Sequence, residues 1–177
     1  PPSHASPIWP AAGIAFAGMV TYGHKVVPGI LAGAFCAQMF SFFDATSPDS
    51  LLSSLFVGSI ASVAATLQAG LGAWLTRRYV GEHNPLIDDR SIVRFIALGG
   101  PISCVISPSV GVLTLLLQDI ISLENLTLSW LTWWIGDTVG VVIFSPLLLS
   151  LIGVLRNRRH MRLTWVALPL SILSLLV

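Results

Sequence analysis

Charge is what this 177-residue chain has least of. Asp, Glu, Lys and Arg make up 10% of it, against 54% hydrophobic residues. A soluble domain carries roughly 25% charged residues, so an integral membrane protein is expected. The formal net charge is +1, which leaves no basic face for a nucleic-acid partner. Only two cysteines are present, Cys36 and Cys104, both inside apolar runs. They make neither a disulfide framework nor a metal site and read as small buried hydrophobes. His4, His24, His83 and His160 fall in loops or near segment ends, and none forms an HxxxH pair. Metal and haem therefore go unassigned, and any cofactor stays unknown. Ser–His–Asp, Walker and GxGxxG signatures are missing, so no residue reads as catalytic. Ten-residue alternation of apolar and polar positions is also missing, which argues against an outer-membrane barrel. No internal repeat suggests an inverted-repeat transporter. The opening PPSHASPIWP lacks the basic region of a secretory signal peptide.

What is there is apolar sequence in six segments: Ile8 to Tyr22, Val26 to Phe43, Leu51 to Leu75, Ile92 to Leu117, Leu126 to Val154, and a sixth from Thr164. A span needs about 20 residues; the first is short and the last is cut off. The connections alternate in charge. His24 and Lys25 follow the first segment, Asp44 and Asp49 the second, and Arg77, Arg78, Arg90 and Arg94 the third. Asp119 and Glu124 follow the fourth, and Arg156, Arg158, Arg159 and Arg162 the fifth. The positive-inside rule puts the basic connections in the cytoplasm and Pro1 outside. The expectation is an all-α polytopic bundle, a single integral membrane domain over 1–177, truncated at both ends. The run Arg156 to Arg162 reads as a topology anchor that meets anionic lipid, and Arg94 as a snorkelling residue.

Several segments are interrupted. The fourth carries Gly99, Gly100, Pro101 and Pro108, the fifth Pro146, and the second Pro28 and Gly29. Proline removes a backbone donor, and in lipid the freed carbonyls need partners in protein or in a wet cavity. These are kinks that improve packing, or broken helices that line a cavity. Small residues recur at four-residue spacing, as in Gly29 and Gly33, Ala69 and Ala73, and Gly136 and Gly140, and permit close helix approach.

Against this background one acid stands out. Asp137 lies inside WLTWWIGDTVGVVIFSPLLLS, where an ionisable group costs roughly 2.5–3.5 kcal/mol on insertion scales. Gln68, midway down the third segment, is the second polar group at depth. A neutral acid donates one hydrogen bond, which a glutamine carbonyl accepts. The pair serves as interhelical glue, as a ligand-sensing site, or as a proton or ion site in a transporter. Trp130, Trp133 and Trp134 precede Asp137. They form an interfacial belt, or wall a pocket that holds a cationic or aromatic ligand. Trp9 is placed at the same outer level.

The blocks WPAAGIAFAGMVTYG, VPGILAGAF, ATLQAGLGAWLTRR, GGPISCVISPSVGVLTL and WLTWWIGDTVGVVIFSPLLL, in this order and spacing, resemble the type-one membrane-associated sensor (MASE) domains of bacteria. WLTWWxGDxxGxxxxxPLLL is the most specific of them. The resemblance implies a non-catalytic inner-membrane sensory domain of about eight spans, of which six are visible. It implies a C-terminal cytoplasmic output domain, a histidine kinase or a diguanylate cyclase or phosphodiesterase of c-di-GMP. Signalling is expected within a homodimer, in response to a small molecule or a neighbouring membrane protein. A passive membrane anchor for dimerisation is the bland alternative.

Overall fold

The structure is a computed structural model that describes residues 8–43, 46–80 and 89–156. These residues form six α-helices: α1 (Pro10–Tyr22), α2 (Val27–Phe42), α3 (Pro48–Tyr79), α4 (Asp89–Ala97), α5 (Ile106–Leu117) and α6 (Leu123–Arg156). A 3₁₀ turn, Gly23–Val26, joins α1 to α2. Between α4 and α5 lie a π turn, Leu98–Ile102, and a 3₁₀ turn, Ser103–Val105. There is no strand among the described residues.

Four stretches are long and apolar enough to cross a membrane: Pro10–Phe40, Pro48–Tyr79, Asp89–Leu117 and Leu123–Gly153. Among the described residues this supports four such stretches and does not support the expected six spans of about eight. The sixth segment, from Thr164, lies outside the described residues. The first two fall within one helical stretch. At 1.5 Å per residue, α1 with 13 residues and α2 with 16 reach only about 20 and 24 Å, short of a ~30 Å hydrocarbon core.

That stretch is nevertheless bent back on itself. Phe16 of α1 meets Gly72 of α3, and Arg77 donates to the Met19 and Val20 carbonyls, so α1 runs parallel to α3. Val27 and Ile30 of α2 pack near Ala69 and Ala73, whereas Phe35 and Met39 lie against Gly58, so α2 runs antiparallel. The reversal falls at Gly23, whose φ of 66° is open to glycine at little steric cost. Prolines mark the starts: Pro10 opens α1, and Pro28 sits in the first turn of α2, where a missing N–H loses no helical bond. Pro28 and Gly29 thus begin a helix and do not interrupt one.

α3 is the frame. Ser47 Oγ accepts from the Ser50 N–H at 3.1 Å and Ser50 Oγ from the Ser47 N–H at 3.0 Å, a capping box. Pro48 and Asp49 occupy the first turn, and Arg77 and Arg78 the last, in keeping with the helix dipole. α5 is antiparallel to α3, because Ser107 meets Gln68 while Gln118 meets Ser53. α6 is parallel to α1, because Trp9 N–H bonds Gly136 O at 3.0 Å and Ser145 Oγ bonds Gly13 O at 3.2 Å. Lys25, Arg77, Arg78, Arg90 and Arg94 therefore gather at one end, and Asp49, Asp119 and Glu124 at the other.

Phe16 fills the centre. A methyl added at Gly72 or Gly99 would collide with its ring, and the Phe95 ring lies 5.4 Å away, tilted by 54°. Gly13 and Gly140 meet backbone to backbone, so α1 and α6 touch without intervening side chains.

Candidate functional site

Gln68 sits on the uninterrupted part of α3, held rigid by helix on both sides. Its Nε2 donates to Asp137 Oδ2 of α6 at 2.8 Å, and its Oε1 accepts from the Ser107 backbone N–H of α5 at 3.0 Å. Gln68 is 4% exposed and Asp137 2%. One amide thus ties three helices together in the interior, and Asp137 faces neither headgroups nor acyl chains. The amide orientation is fixed by Ser107, whose N–H can only donate. That N–H lies in the first turn of α5, where helical amides lack an intrahelical acceptor. The sense of the bond is the reverse of the expected one: the glutamine carbonyl serves Ser107, and its NH₂ serves the acid.

The second carboxyl oxygen, Asp137 Oδ1, is buried with no hydrogen-bond partner, as is Thr138 Oγ1 on the next residue. A carboxylate accepts at up to about four lone-pair sites, so Oδ1 has room for a further donor. The Ser107 side chain makes a favourable polar contact with the carboxyl group, which Cys104 also borders. Gly100 lies beside Thr138 and Val142, where a methyl would meet their side chains at 3.6 and 3.2 Å. Ser107 and Thr138 were not singled out from the sequence, because hydroxyls that bond within their own helix are common in lipid.

The three tryptophans brace α6 on α5 and on the π turn that precedes it. Trp134 Nε1–H donates to Pro101 O at 2.9 Å and Trp130 Nε1–H to Ser109 Oγ at 3.0 Å. Their rings stack at 5.9 Å with 14° between planes. The Trp133 ring fills the notch left by Gly111. The N–H groups of Trp130 and Trp134 thus have protein acceptors, and all three side chains are partly buried. Trp9 meets the site through its backbone: its N–H bonds Gly136 O, and its carbonyl rests on Gly140.

The broken stretch is closed internally. Gly99, Gly100 and Pro101 all fall in the π turn. The Gly99 carbonyl accepts from Ser103 Oγ at 2.6 Å, and that of Pro101 from Trp134. Two carbonyls of the broken stretch thus find side-chain donors within the protein, as a lipid environment demands. Pro108 sits in the first turn of α5, where its missing N–H loses no bond within that helix. Pro146 lies within α6, past the Gly136–Gly140 step. Among the described residues no three His, Cys, Asp or Glu side chains converge on a metal position.

Lipid-length helices around a buried acid define a polytopic membrane domain with a polar node at its core. The chain matches the MASE1 family over residues 2–177 and belongs to it, a family of membrane-associated sensor domains that are not themselves catalytic. No curated protein and no solved structure matches the chain.

Proposed function

We propose that this domain is the input module of a bacterial inner-membrane signalling protein, and that its cue acts on the Asp137–Gln68–Ser107 node. The observation that carries the proposal is Asp137 itself, a 2% exposed acid tied to two other helices through Gln68, with Oδ1 outside hydrogen-bond geometry of any donor. A packing that supplies the donor competes with the observed one, and a cue that favours either packing shifts the population by its differential affinity. Movement of α6 against α5 would pass through Trp134 to the π turn, since the Trp134–Pro101 bond joins them. From there α4 would carry the change to the basic, cytoplasmic end. A C-terminal output domain, a histidine kinase or an enzyme of c-di-GMP, would read it within a homodimer.

The test is to place Asp137→Asn and Asp137→Ala in the full-length protein and assay output with and without stimulus. The expected outcome is a changed basal output or a lost response at normal protein level. Wild-type output and response in both variants would sink the assignment.

A further inference from the structure

At the acidic end, one face of α3 and the end of α5 enclose an open trough of about 530 Å³. Asp49, Leu52, Ser53, Leu55, Phe56 and Gln118 line it. Two of its lining residues are joined, Ser53 Oγ–H donating to Gln118 Oε1 at 2.9 Å. Leu52, Leu55 and Phe56 remain exposed along the walls. The lining residues on α3 extend ten positions beyond Asp49 to Ser59, about 15 Å along the axis at the helical rise.

The two parts of the trough ask for different chemistry. Its walls are apolar, and burying them favours a hydrocarbon chain at about 25 cal/mol per Å². Its mouth is acidic: Asp49 lies within it, and Asp119 and Glu124 share that end. The described cations gather at the opposite end of the bundle. Low-dielectric walls strengthen the pull of such a rim on a cation, while a phosphate headgroup meets like charge. We propose that this trough binds a single-chain amphiphile with a cationic head, the head at Asp49 and the chain against Leu52, Leu55 and Phe56. The site is separate from the Asp137 node, and its test does not depend on output.

The experiment uses the whole chain in phosphatidylcholine nanodiscs with a dodecyltrimethylammonium probe carrying a diazirine at the chain terminus. Illumination and peptide mapping should show saturable labelling of α3 between Leu52 and Ser59. Unlabelled dodecyltrimethylammonium should compete; dodecanol and lysophosphatidylethanolamine should not. Asp49→Asn should raise the half-saturating concentration about fivefold, the scale of one exposed ion pair. Phe56→Ala should weaken labelling with the acid intact. Three results would overturn the proposal: equal labelling by a neutral dodecanol probe, competition by the ethanolamine lipid, or labelling spread evenly over the lipid-facing helices.

Discussion

Asp137 and Gln68 were legible in the sequence as the two polar groups at depth, since each interrupts an apolar run. Their partner Ser107 was not, because its contribution is a backbone N–H, which every residue but proline carries. Removing Gln68 strands both neighbours. Gln68→Ala should therefore cost about 2–4 kcal/mol, from two buried groups left without partners, read from thermal unfolding in detergent. Asp137→Asn should have the opposite sign, because it keeps an acceptor for Gln68 and removes a carboxyl whose second oxygen has no donor. A higher melting temperature with impaired signalling is the expected combination, the usual trade at a functional site. The glycines separate as clearly. Gly140→Ala drives a methyl into the Trp9 carbonyl and should cost at least about 1–3 kcal/mol by overpacking. A methyl at Gly29 meets nothing within 4 Å, so Gly29→Ala should stay within about 0.5 kcal/mol of wild type.

The fourth apolar segment shows how far element-level reasoning from sequence reached. Gly99, Gly100 and Pro101 marked a break, but not its form. A proline rules out one backbone bond and leaves open whether the helix widens, tightens or bends. The choice is made by Trp134, whose indole takes up the Pro101 carbonyl, and by Phe16, which needs Gly99 bare. Trp134→Phe keeps an aromatic ring against Trp130 but deletes the N–H together with the pyrrole half of the indole. It should cost about 1–3 kcal/mol, hydrogen bond and lost packing together, and amide hydrogen exchange should quicken across the π turn and its 3₁₀ extension while α3 is unchanged. Equal acceleration in α3 would show that the indole holds the whole bundle and not the turn. The tryptophans could not be resolved in advance for a related reason: belt, pocket wall and brace all ask for the same residue at the same depth.

Across the whole molecule, the alternation of basic and acidic connections pointed to the antiparallel sequence of α1, α2, α3, the α4–α5 stretch and α6. The first segment was already short for a span in the sequence; that α2 is also too short to span alone was not legible there, because hydropathy measures composition and not where a helix turns. The charge asymmetry of the two ends sets the orientation test. With Cys36 and Cys104 replaced, Asp119→Cys should react with a membrane-impermeant maleimide added to intact cells, and Lys25→Cys only after permeabilisation. The reversed pattern would invert the proposed orientation and put the trough on the cytoplasmic side.

The bend at Gly23 gives the domain two hydrophobic lengths. Beside the roughly 38 Å of the apolar part of α3, Leu51 to Leu75, at the helical rise, the α1–α2 hairpin is short. On that flank the bilayer must thin or flanking residues must snorkel, at a fraction of a kcal/mol per Å of mismatch. Longer acyl chains therefore load one side of the bundle more than the other, and membrane thickness becomes a lateral force directed at the seam where Gly13 touches Gly140.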